Sequence, residues 1–146
     1  MRMIIITLAP ARSQQGYRHE AFLWHDASDF TAGIVPFIRD GPEAREPVMV
    51  AVGALHTKWL RDALDGQADV EFVDMEVGRN PAQIIPAWQQ FLNTGSGRFR
   101  PVRGAGEPIW PGRRPEELVE CQLQEAMLNI SIDPETPFWL IFNNWR

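Results

Sequence analysis

Short, almost continuously apolar runs recur along the chain, and each is followed by a stretch whose apolar residues repeat at helical spacing. The cleanest run is Val48-Met49-Val50-Ala51-Val52. Five residues without a polar break suit a strand covered on both faces, as in a parallel sheet between helix layers. Residues 22–24, 70–75 and 138–142 read as further strands, and 101–105 as another that ends before a turn at Gly106-Glu107-Pro108. Between them lie four helical patterns. The first runs from an N-cap at Ser28 to about Arg39, with Pro42 and Pro47 bracketing the next turn. The second spans 56–64, with Leu55, Trp59 and Ala63 on one face and Leu60 and Leu64 beside it. The third starts at Asn80-Pro81 and carries Ile84, Ile85, Trp88, Phe91 and Leu92. The fourth opens at Arg114-Pro115-Glu116-Glu117, with acids where the helix dipole favours them.

Regular alternation of this kind implies βαβ crossovers and a mostly parallel sheet, an α/β three-layer sandwich. Strand order is not legible. Two prolines, Pro36 and Pro86, interrupt the apolar patterns of the first and third helices. An interior proline removes a backbone hydrogen bond, so either helix bends or starts late, or the proline marks a hinge.

The 146 residues fit a single domain, and a 45% hydrophobic composition supplies its core. We divide the chain into residues 1–16, an N-terminal extension or extra strand, and a single domain over 17–146. The net charge of −5 argues against direct nucleic-acid binding, and no polybasic stretch is present to hold an anionic membrane. No apolar run nears the ~20 residues that cross a bilayer. The apolar start, residues 3–8, is shorter than a signal peptide's usual ~7–15 residues. Cys121 is the only cysteine, so no intrachain disulfide forms. A cytoplasmic location is the expectation.

Several chemistries lack their residues. Gly53-Ala54-Leu55-His56-Thr57-Lys58 follows a strand, as a phosphate loop should, but has no second glycine and carries Trp59 where a hydroxyl belongs. Gly104-Ala105-Gly106 begins like a dinucleotide fingerprint, then meets Pro108. No serine sits on a nucleophile elbow, and His19, His25 and His56 are not at zinc spacing. We expect no cofactor, no metal and no catalytic residue.

Ligands of open parallel sheets bind beyond the carboxyl ends of the strands. That rule nominates His25, Asp26, His56, Asp74, Glu76, Glu107 and Asn143; the alternative is that such acids are solvated or cap helices. Residues 103–110 (Arg103-Gly104-Ala105-Gly106-Glu107-Pro108-Ile109-Trp110) combine two glycines, an acid and a large aromatic. They suit a small organic ligand; equally, Trp110 covers the core while Glu107 caps a helix or pairs with Arg103. On the last helix, Val119, Leu123, Ala126, Met127 and Ile130 form one stripe, read as the core face. Leu118, Cys121, Glu125 and Leu128 form a second, roughly opposite patch. An extension, a subunit, a ligand or ordinary burial of Cys121 would account for that patch.

The segments Arg18-His19-Glu20-Ala21-Phe22-Leu23-Trp24, Phe30-Thr31-Ala32-Gly33-Ile34-Val35-Pro36-Phe37 and Glu46-Pro47-Val48-Met49-Val50-Ala51 resemble the MEDS family, the methanogen/methylotroph and dichloromethane-regulator sensory domain. So do Gly106-Glu107-Pro108-Ile109-Trp110-Pro111-Gly112-Arg113, Glu117-Leu118-Val119-Glu120-Cys121 and Glu125-Ala126-Met127-Leu128-Asn129. In this order the motifs are fairly specific, and they run over residues 17–143. The resemblance implies a RecA/P-loop-like core lacking a Walker A loop, and a sensory domain for simple hydrocarbon derivatives. It also implies coupling to a kinase-like ATPase or a DNA-binding regulator. Of its polar positions, His19, Glu107 and Glu125 carry over. Gln124 departs from the pattern, because family members often have histidine there.

The expectation is therefore a non-enzymatic sensory domain that binds a small organic ligand through His19, Arg103, Glu107, Trp110 and Glu125, with a homodimer as an option. The alternatives are a protein-interaction module docking through Leu118, Cys121 and Leu128, and an acid–base enzyme using the carboxylates and His19.

Overall fold

The computed structural model describes residues 4–9, 16–67, 69–75, 84–95, 101–109 and 114–145. Ten elements follow one another: β1 (Ile4–Ala9), β2 (Arg18–Trp24), α1 (Ala27–Glu43), β3 (Val48–Val52), α2 (Ala54–Leu64), β4 (Val70–Asp74), α3 (Ile84–Gly95), β5 (Val102–Ile109), α4 (Pro115–Ser131) and β6 (Phe138–Trp145). The strands form one sheet in the order β1-β2-β6-β5-β3-β4. Every pairing from β2 to β4 is parallel; β1 joins the β2 edge antiparallel. Among the described residues, no helix is long and apolar enough to cross a membrane.

The side-chain alternation of β3 shows how the layers form. Val48, Val50 and Val52 enter one core with Phe30, Ile34 and Ile38 of α1 and Leu60 and Leu64 of α2. Met49 and Ala51 enter the other, with Ile84, Trp88 and Phe91 of α3 and Leu128 of α4. A strand with period two feeds both layers only when both of its faces are apolar, as the run 48–52 is. The α/β sandwich expected from sequence is thus present.

Details differ from expectation for physical reasons. The N-cap of α1 is Asp26, whose Oδ1 accepts from the Asp29 N–H at 2.9 Å, so the helix starts before Ser28. It also runs through Pro36 and Pro42. Pro36 is exposed, and its neighbour Ala32, whose carbonyl loses a donor, faces water that replaces the bond. Pro86 is the third residue of α3 as described, and the residue four before it, whose carbonyl an N–H there would meet, lies outside the described residues. The expected start at Asn80-Pro81 lies outside the described residues.

Helix α2 is rotated from its sequence reading. It buries His56, Leu60 and Leu64, and leaves Leu55 exposed. β5 does not stop at Ala105, because Gly106 and Glu107 belong to the strand and not to a turn. Gly104 and Gly106 are there for close packing. A Cβ on Gly104 would lie 2.7 Å from Trp88 Cζ3, and one on Gly106 would lie 2.5 Å from Phe142 Cε1. The pairing with β6 then shifts register between Gly106 and Ile109.

The largest correction concerns α4. Cys121, Gln124 and Leu128 are its buried residues. The stripe read as the core face is outside, with Val119 56%, Leu123 52%, Met127 48% and Ile130 85% exposed. Cys121 and Leu128 of the second patch are therefore inside the protein, with Leu118 half-buried at its edge, so burial of the first two removes the docking face considered for the three.

Candidate functional site

β3 leads into α2 in one helix layer, whereas its neighbour β5 leads into α4 in the other. The chain thus parts to opposite faces between the carboxyl ends of β3 and β5, the switch point where open parallel sheets form a crevice. Glu107 stands at the end of β5 and His56 in the first turn of α2. Their side chains hydrogen-bond, His56 Nδ1 to Glu107 Oε2. Glu107 Oε1 also accepts from the Gly53 N–H at 3.3 Å. Gly53 is the N-cap of α2 and has no side chain to cap with, so the carboxylate of Glu107 answers an N-terminal amide instead.

Aromatic rings enclose this pair. Phe30 stacks on the His56 ring at 4.3 Å, while Trp24 meets it edge-on at 5.1 Å and Trp59 lies tilted at 4.9 Å. Both members are buried, His56 at 6% and Glu107 at 2% exposure. The pair is held inside the α1/α2 layer, not presented in an open cleft.

A second polar cluster lies across the sheet, between β2 and α4. Tyr17 and His19 project toward the α3/α4 layer, since Tyr17 stacks on Phe138 at 5.9 Å and His19 meets Phe142 edge-on at 4.5 Å. Asn129 of α4 receives both. Its Oδ1 accepts from the Tyr17 hydroxyl at 3.1 Å and lies 2.8 Å from His19 Nδ1. Glu125, one helical turn before Asn129, is close enough for its charge to raise the Tyr17 pKa further, beyond what burial does. Burial raises the Glu125 carboxyl from its ordinary value to about 7. It also lowers the His19 pKa, against a smaller opposing effect of the Asn129 bond.

An amide oxygen only accepts, so the bond to Asn129 places the imidazole proton on Nδ1 and leaves a lone pair on Nε2. That Nε2 is buried and makes no hydrogen bond among the described residues. The same holds for Glu125 Oε1 and for both amide atoms of Gln124, which is 1% exposed. A buried polar atom without a partner costs about 1–3 kcal/mol, and several on one helix face call for something to satisfy them.

The positions singled out from sequence thus separate. His19 and Glu125 come together with Asn129. Glu107 occupies the opposite face of the sheet. Arg103 sits at the amino-terminal end of β5, donating to Glu46 Oε2 at 2.6 Å and to the Phe37 carbonyl at 3.1 Å. Glu107 pairs with His56 and not with Arg103. Asp26 caps α1, and Trp110 and Glu76 lie outside the described residues. Sequence reasoning missed Tyr17 and Asn129. Their signals were the two-residue step from Tyr17, just before β2, to His19 within it and the four-residue step from Glu125 to Asn129 along α4.

A family model described as MEDS, MEthanogen/methylotroph, DcmR Sensory domain, matches residues 18–143. Comparison with curated proteins and with solved structures gives no match.

Proposed function

The chain belongs to the MEDS family of sensory domains, and from that membership we propose that it binds a small organic molecule beside α4 and relays its presence to a signalling output. The observation that carries this reading is the lone pair on His19 Nε2, buried and unanswered. Its proton is committed to Asn129, so the nitrogen accepts and the ligand must donate. A hydroxyl or an amide N–H supplies that donor. Glu125, whose carboxyl retains its proton toward neutral pH, offers a second directional group, and Phe142 and Tyr17 give apolar walls. The ligand class is therefore a short, neutral, donor-bearing organic molecule.

Recognition becomes a signal only when the ligand favours one arrangement of the protein over another. Helix α4 suits that role. Its inner face carries Glu125 and Asn129, and its outer face meets the surroundings. Trp110 remains an expected contributor to the recognition, whereas Arg103 and Glu107 lie across the sheet and serve the pairs with Glu46 and His56. We assign no catalytic step. The His56–Glu107 pair, which is in reach of a hydrogen bond, is walled in by Trp24, Phe30 and Trp59.

The test is thermal stabilisation of the purified chain by a panel of short alcohols and primary carboxamides, set against their O-methyl and N,N-dimethyl counterparts. Donor-bearing compounds should raise Tm and their capped counterparts should not, and His19→Phe should abolish the difference. Equal stabilisation by both sets would refute the donor requirement.

A further inference from the structure

The outer face of α4 carries Val119, Leu123, Ala126, Met127 and Ile130, at steps of four, three, one and three residues. They form one straight stripe of about three turns, roughly 16 Å long at 1.5 Å per residue. The four large side chains on it are 48–85% exposed. A stripe of this length and spacing matches the seam that one helix offers another.

The charges around the stripe say what kind of partner fits. α4 contains no lysine or arginine. Glu116 continues the stripe at its amino end, Glu120 flanks it, and both are exposed; beyond the carboxyl end stands exposed Asp133. A second copy is a poor match. Paired in parallel, each glutamate meets itself, and paired antiparallel about the middle of the stripe, Glu116 and Glu120 meet the carboxyl end of the other helix, which offers no lysine or arginine to answer them. An anionic lipid surface is repelled by the same acids. We propose that the outer face of α4 docks an amphipathic helix of a partner protein, one with an apolar face flanked by arginine or lysine. This extends the proposed relay by naming the chemistry of its output, and it stands on the α4 surface alone, with no ligand needed.

The test uses the full chain and two helical peptides as long as α4. Each carries leucines at three- and four-residue spacing, flanked by arginines in one peptide and glutamates in the other. Affinity is read by fluorescence anisotropy, and subunit number by sedimentation. The arginine peptide should bind at least about tenfold more tightly than the glutamate peptide, with an affinity that falls as salt rises. Leu123→Asp, at an exposed site, should remove binding while leaving Tm unchanged. The double variant Glu116→Lys/Glu120→Lys should reverse the preference between peptides. Equal binding of the two peptides, arginine-peptide binding that survives Leu123→Asp, or a dimer of the chain that Leu123→Asp dissociates would each overturn the proposal. Because no small molecule is present, failure here leaves the alcohol and carboxamide test untouched, and the reverse also holds.

Discussion

His19 Nδ1 lies 2.8 Å from Asn129 Oδ1, and that single contact ties β2 to α4 and decides which nitrogen of the ring stays open. The same oxygen also holds the Tyr17 hydroxyl at 3.1 Å. One acceptor therefore sets the tautomer of a buried histidine and anchors the strand before it.

Replacing Asn129 with Ala should leave two buried donors unanswered and lower stability by about 1–3 kcal/mol. The tautomer should also lose its bias. Nitrogen-15 chemical shifts of the His19 ring report this directly: the unsubstituted protein should show a protonated Nδ1 and a bare Nε2. A protonated Nε2 in the unsubstituted protein would invert the proposed ligand requirement.

Glu125 gives the pH dependence. Its carboxyl ionises near 7 in the folded chain, against an ordinary value of 4.5, because burial penalises the charged form. Between those pH values the folded chain holds a proton that the unfolded chain has lost. Its contribution to stability is therefore fully present below about 4.5 and is lost as pH rises through 7. Glu125→Gln should remove that component. The variant should gain about 1–2 kcal/mol over the unsubstituted protein at pH 8, after allowance for the water that still reaches the carboxyl. It should show no such gain near pH 4.5. Urea midpoints of the two proteins at both pH values measure the difference.

The Glu107–His56 pair should behave as structure. Glu107→Ala strands His56 and the Gly53 amide inside an aromatic enclosure, and breaking a buried pair of this kind costs about 3–5 kcal/mol. Glu107→Gln keeps an acceptor for the amide and should cost less. Chemical denaturation ranks the two. A Glu107→Ala protein as stable as its parent would show that the pair contributes nothing to folding.

Gly33 sits within α1, where replacing glycine by alanine ordinarily favours a helix by about 1 kcal/mol. Here the sign should reverse. A Cβ at this position would lie 2.2 Å from Phe22 Cζ, inside the contact that seats α1 on the sheet. Gly33→Ala should destabilise by about 1–3 kcal/mol, as overpacking does. Phe22→Leu in the same chain should recover part of the loss, measured as a shift in urea midpoint.

The periodic elements were readable because a strand buried on both sides has no freedom in its composition. The run 48–52 could only be interior, and β3 is buried along its whole length. α4 was read inside out for the complementary reason. Both of its faces carry apolar residues, so spacing alone does not choose between them. The choice falls to Asn129, which meets Tyr17 and His19 at the start of β2, and to Leu128 and Ile132, which join the core with Val102, Phe138, Leu140 and Phe142 of β5 and β6. α2 shows the same limit on a smaller scale. His56 is buried and Leu55 exposed, because Glu107, fifty-one residues away, supplies a partner that makes burying an imidazole favourable.

Local order in this chain thus belongs to the sequence: which segments are strands, which are helices, and the apolar continuity that makes a layered α/β sandwich the one way to keep water from the strands. Folding in three dimensions decided the rest. Strand order placed His19 and Glu107 on opposite faces, and long-range partners determined which face of each helix turned inward. Hydrogen bonds between residues more than a hundred positions apart are absent from any local pattern, and it is those bonds that left one buried nitrogen with a lone pair to offer.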